Sequence, residues 1–153
     1  MIEFLSRDAH TSSLTGEKLT EHQAVLAMQA VCGQGPDRIA EFVLAPCWGE
    51  PPFYRIYVEQ SAVRRVARLA ERLDLALCKV NGEYESKRET LRLRPVELCT
   101  VPEGFLTRRD QELRRARSRT SEQFKHQYLL AKPGWDTDLQ AAAAPVARTS
   151  GRT

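Results

Sequence analysis

Residues 39–59 read IAEFVLAPCWGEPPFYRIYVE, and the parsing of this stretch decides the fold. Residues 39–47 predict a strand, and Phe53–Glu59 alternate well enough to predict a second one. Between them, WGEPP holds a glycine and two prolines, which suits a hairpin-like connection and neither flanking strand.

Working outward from the hairpin, Thr20-Glu21-His22-Gln23 has the spacing of a capping box, with Thr20 as N-cap and Gln23 reaching back. Ala24, Val25, Ala27, Met28 and Val31 then give a helix one apolar face, ended by Gly33-Gln34-Gly35-Pro36. Ile2 to Ser6 predicts a short strand, and residues 8–19 a polar loop. Downstream, Val63, Val66, Leu69, Ala70, Leu73, Leu77 and Val80 recur at helical spacing, predicting a helical region over about residues 61–90. Asn81-Gly82 breaks or kinks it. VELCTV (96–101) predicts a fourth strand, and residues 104–118 a basic amphipathic helix or loop. From Ala131 onward little is left to pack, which predicts a disordered tail. The order strand, helix, strand, strand, helix, strand is that of an α+β, ferredoxin-like split βαβ sandwich, a four-stranded sheet with helices on one side. The expected division is one domain over 1–130 and a tail over 131–153. Such a fold supports too many functions to decide one.

At 153 residues the chain fits one domain and needs neither disulfide nor metal to hold a core. Cys32, Cys47, Cys78 and Cys99 form no CxxC pair and lack the clustered spacing of zinc ligands. They read as small buried hydrophobes in a reducing compartment, and no metal ligands are assigned. MIEFLSRDAH has charges where a signal peptide needs an apolar run, and nothing elsewhere approaches a membrane span. A soluble, cytoplasmic chain is expected. The net charge is only +3, but eight Lys/Arg fall between Gly104 and Lys132 against Asp110, Glu112 and Glu122, which favours an anionic partner. Nucleic acid is argued against: the basic stretch lacks interleaved aromatics, and neither FYRIYVE nor VELCTV matches the RNP consensus. His10, His22 and His126 share no spacing with an acid or a nucleophile.

Two places invite a site. SLTGEKLT (13–20) is no Walker A loop, since the GxxxxGK[ST] spacing is missing. Gly16 would let backbone amides face a ligand, and the helix beginning near Glu21 adds a field favourable to an anion. Glu17 offsets part of the charge of Lys18, and a solvated turn is the other reading. Lys125 stands between Phe124 and His126, where packed aromatics would leave its amine projecting. An ammonium held against a phosphoryl or carboxylate oxygen stabilises charge developing there. The other reading is a surface lysine.

Taken together, four segments resemble one family. FLSRDAHTSSLTGEKLTEHQAV (4–25) resembles the start of the small C-terminal domain of the auxin-responsive Gretchen Hagen family, the acyl-acid amido synthetases, especially its bacterial members. LALCKVNGEYESKRETLRLRPVELCTVPEGF (75–105) resembles that domain's Asn-x-x-Tyr helix, the strand after it and a Pro-x-Gly-Phe turn. RSRTSEQFKHQYLL (117–130) resembles its closing segment with a Gln-Phe/Tyr-Lys triplet, although His126-Gln127-Tyr128 stands where the family often has a proline and an arginine. The hairpin lies between them as expected. The resemblance implies an adenylate-forming ligase, which activates a carboxylic acid with ATP and Mg and passes the acyl group to an amine. It also implies a large N-terminal domain that holds ATP and acid, beyond what this chain contains, so the chain alone is not expected to be active. By position, Lys125 would be the lysine that meets the adenylate, with Gly16 and Lys18 in the loop turned toward the nucleotide. Three readings stay open: a split enzyme docking a separate large domain, an idle fragment, and a non-catalytic binding module using the basic 104–132 face on an anionic partner.

Overall fold

The computed structural model describes residues 10–33, 35, 38–117 and 125–145. A two-residue hairpin, β1 (Thr11–Ser12) and β2 (Leu19–Thr20), leads into α1 (Glu21–Cys32). The sheet strands β3 (Val43–Cys47) and β4 (Phe53–Glu59) follow, then a 3₁₀ turn over Gln60–Arg64. Next come α2 (Leu69–Val80), α3 (Gly82–Glu89), β5 (Glu97–Val101), α4 (Phe105–Arg117), α5 (Thr137–Ala142) and β6 (Ala144–Pro145). The predicted strand over 2–6 lies outside the described residues.

The α1 cap forms as its sequence requires. Thr20 Oγ1 accepts from the Gln23 amide and Gln23 Oε1 from the Thr20 amide, both at 3.1 Å. Gly33 ends the helix at φ 68°, a left-handed conformation that a side chain would strain. The region predicted as helical over about 61–90, with a break at Asn81-Gly82, divides into the 3₁₀ turn, α2 and α3. Asn81 makes the break: its backbone is extended and its side chain caps α3 by accepting from the Tyr84 amide at 2.8 Å.

The α+β class is as read, and the detail of the sheet differs. Its order is β3-β4-β5-β6. β3 and β4 pair antiparallel from Val43↔Tyr57 to Cys47↔Phe53, as the hairpin reading requires. β4 and β5 pair directly and in parallel from Arg55↔Glu97 to Glu59↔Val101, so no strand lies between them. The short β6 takes the fourth place, beside β5. On the outer edge of β3, Leu44 bonds the segment 128–130: its amide donates to Tyr128 O at 2.8 Å and its carbonyl accepts from Leu130 at 2.9 Å. Two residues on, where the next amide on that side would stand, Pro46 has none, so the strand cannot extend this pairing.

The expectation of helices on one side only is corrected. Leu44, Tyr54, Ile56 and Val58 meet α1, α2 and α3 in one core cluster, with Met28, Leu73, Leu77 and Tyr84. Val43, Ala45, Tyr57, Cys99 and Val101 face a second cluster with Leu106 of α4, Leu130 and Leu139 of α5. A strand covered on both faces is apolar nearly throughout, which is why β4 alternates so weakly. The tail is corrected as well. Residues 131–145 pack: Leu139 is fully buried, and Asp136 Oδ2 accepts from the Tyr57 hydroxyl at 2.6 Å. Leu139, the Asp136 carboxylate and the pairing of β6 with β5 all tie this stretch to the sheet. Residues 146–153 lie outside the described residues.

Candidate functional site

The turn at residues 13–18 is built from inside. Glu17 is 1% exposed, and its carboxylate accepts from the amides of Leu14 at 2.7 Å and Thr15 at 2.8 Å and from the Thr15 hydroxyl. The hydroxyl of Tyr54, at the start of β4, donates to the same carboxylate and also meets Ser12 Oγ at 3.0 Å. Burial alone would raise the carboxyl of Glu17, but the donors from Leu14, Tyr54 and Thr15 outweigh it and hold it below the ordinary glutamate value. The Tyr54 phenol goes the other way, pushed well up by burial and then by the charge of Glu17. Glu17 is therefore turned into the protein, although its neighbour Lys18 is exposed.

Asn81 fastens the turn to the helices. Its Nδ2 donates to the carbonyl of Glu17 at 3.0 Å, that of Lys18 at 3.3 Å and Gln23 Oε1 at 2.9 Å, while its Oδ1 caps α3. Tyr84 continues the chain of contacts, donating to Asp74 Oδ1 at 2.6 Å, and Arg88 closes on Asp74 at 2.9 Å. The Asn-x-x-Tyr pair is thus a brace joining α1, α2, α3 and the turn. It lies under the site rather than in it.

Gly16 and Lys18 both have positive φ, 103° and 46°, and both are exposed. Ser13 Oγ already accepts from the Gly16 amide at 3.1 Å and the Lys18 amide at 3.4 Å. With Glu17 taking the amides of Leu14 and Thr15, the turn offers no open backbone cradle for a phosphate chain. What fits a polyanion here is side-chain charge. Lys18 is exposed, and Lys87 of α3 brings its Nζ within 3.8 Å of where a Cβ on Gly16 would stand.

Lys125 is exposed, at the start of the segment that runs along β3. Phe124, its expected aromatic neighbour, lies outside the described residues. On the other side His126 is held firmly: Nδ1 lies 2.7 Å from Asp110 Oδ2 of α4, and Nε2 lies 2.9 Å from the carbonyl of Phe42. Among the described residues no hydrogen bond or ion pair joins Lys125 to Gly16 or Lys18. The turn and the segment that carries Lys125 are linked through Glu21, which begins α1 right after the turn and accepts from the Tyr128 amide at 2.8 Å.

Part of the basic stretch is spent internally. Arg109 pairs with Asp138 of α5 at 2.7 Å, whereas residues 111–116 are exposed. No cluster of three or more His, Cys, Asp or Glu able to hold a metal ion occurs among the described residues. None of their helices is long and apolar enough to cross a membrane. Sequence reasoning missed Tyr54 altogether, because a tyrosine in a strand reads as core. The sign that its hydroxyl was needed was the glutamate between Gly16 and Lys18.

Residues 22–134 match the family model described as the GH3 family C-terminal domain. Among solved structures, one titled GH3.15 acyl acid amido synthetase superposes with TM-score 0.65 at 18% identity, covering 88% of this chain and 26% of that one. Another, AtGH3.15 acyl acid amido synthetase in complex with 2,4-DB, gives TM-score 0.64 at 17% identity with the same coverage. At these identities the likeness shows the fold. No curated protein matches the chain. The chain spans about a quarter of the length of the structures it resembles.

Proposed function

The chain belongs to the GH3 family, as its C-terminal domain, and from that membership we propose that it serves as the small domain of a cytoplasmic, ATP-dependent acyl-acid amido synthetase. The observation that carries this reading is the match over residues 22–134, combined with coverage of only 26% of the related structures. The remaining three quarters would be the large domain, which holds acid and nucleotide and docks this one.

ATP, bound with Mg in the large domain, supplies the adenylyl group that activates the carboxylate. This chain's part is to close over that site and bring cations to it. The exposed ammonium of Lys125 stands on a backbone anchored at His126, Tyr128 and Leu130, so it can meet a phosphoryl oxygen with little reorganisation. Lys18, on a turn braced by Glu17 and Asn81, adds positive potential at the exposed surface of the loop. The acid and nucleotide would be held by the large domain, so the chain alone is expected to leave acid and ATP unreacted. The test is to mix the purified chain with the N-terminal domain of an acyl acid amido synthetase and measure association by analytical ultracentrifugation. A complex supports the reading, and no association at any ratio, with ATP and acid present, counts against it.

The exposed run over 111–116 favours a second reading, a non-catalytic module that binds an anionic partner through the 104–132 face. Such binding would weaken steeply with salt, because exposed charges are screened, and it would not need ATP or acid.

A further inference from the structure

The ring of His126 is 13% exposed and has an oxygen acceptor on each side, Asp110 Oδ2 at 2.7 Å and Phe42 O at 2.9 Å. A neutral imidazole has one N–H and one lone pair, so it satisfies one of these and presses its lone pair on the other. Only the doubly protonated ring donates to both. Asp110 is itself 8% exposed, and its buried Oδ1 has no hydrogen-bond partner among the described residues. A buried carboxylate left so short of donors calls for a cation beside it. Charges of both signs stand nearby. Asp110 comes from α4, with Arg114 one turn farther along that helix; Glu41 and Arg38 come from the approach to β3, and Glu21 from α1. Lys125 and Tyr128 belong to the segment itself. The Tyr128 phenol is pushed up by burial and then by Glu41, Glu21 and Asp110, with Arg38 offsetting part of this.

We infer that His126 is a positioning residue for Lys125, held as an imidazolium that ties the segment 125–130 to α4 and to the strand entry at Phe42. This rests on the proposed role of Lys125. The ring packs edge-on against Tyr128 at 4.6 Å, and Tyr128 and Leu130 complete the pairing with Leu44. Loss of a ring proton removes one side of the clamp. The pairing at Leu44 then loosens, and Lys125 loses its fixed base.

The test uses the whole chain with ¹⁵N-labelled histidine. NMR of the ring nitrogens is expected to show both protonated wherever the segment is docked. Amide protection factors at Leu44 and Leu130, corrected for intrinsic exchange, should fall at least about tenfold in step with loss of the ring proton, in line with one lost hydrogen bond to a charged group. Asp110→Asn should uncouple the two. Should that variant not fold, His126→Gln, which has no titrating ring, should abolish the pH dependence of protection. A singly protonated ring with Leu44 and Leu130 still protected, including the case where Asp110 carries the proton, would overturn the inference. So would wild-type pH dependence in His126→Gln. None of these readouts involves ligase activity, so their failure leaves the proposed function standing.

Discussion

Glu17 shows how a neighbour in sequence misleads about a neighbour in space. Beside Lys18 it looks like half of a solvated pair, yet its carboxylate meets Tyr54, 37 positions away. Gly16 and Lys18 were legible as a turn, because glycine among small polar residues announces positive φ. The inward glutamate was not, since its donors come from β4 and from the turn's own folded amides. With its carboxyl held low in the fold, the stability it confers is complete above the ordinary glutamate value of 4.5 and is lost as pH falls through the lower folded value. In denaturant titrations Glu17→Gln should therefore be less stable than wild type at neutral pH, and the gap should narrow on acidification below that value. A gap independent of pH would mean that the charge is not what holds the turn. Asn81→Ala should cost about 1–3 kcal/mol, because the carbonyls of Glu17 and Lys18 and the amide of Tyr84 lose a partner together. Chemical denaturation measures it, and a loss within error of zero would remove Asn81 as a brace.

Among the elements, α1, β4 and the break at Asn81 were legible from local signals: a capping box, alternation sufficient for a strand, and Asn-Gly; the basic run at 104–118 left helix and loop both open, and α4 is the helix. The segment 131–145 was not. Its sequence is poor in large apolar groups, and sparse composition argues for disorder unless a position is known to lie over an unfilled face. Leu139 lies over such a face, with Leu106 and Val101. The same second face explains the apolar excess in β4, which a sheet covered on one side would not need. Leu139→Ala should thus destabilise the whole domain by about 2–5 kcal/mol, as for a core leucine. Loss below about 0.5 kcal/mol would fit a surface residue and would restore the tail reading.

For the whole molecule, the family was legible in short motifs spread along the chain, and the family match over residues 22–134 agrees with them. The candidate site is a different matter. Lys125 and Lys18 were picked out by type and position, but the supports under them, Asn81 with Tyr84 and His126 with Asp110, join residues from four helices and the sheet edge. The central claim is that this domain completes an adenylation site and that Lys125 does electrostatic work there. Acid-dependent exchange of pyrophosphate into ATP, measured on the chain together with a large domain of the family, tests it most directly. The chain alone should give no exchange. In the reconstituted pair Lys125→Ala should slow exchange about 10²–10³-fold with folding intact. Lys18→Ala should cost less, and Arg115→Ala should at most weaken docking in a way that added salt mimics. Exchange by the chain alone, or equal effects of Lys125→Ala and Arg115→Ala, would contradict the account.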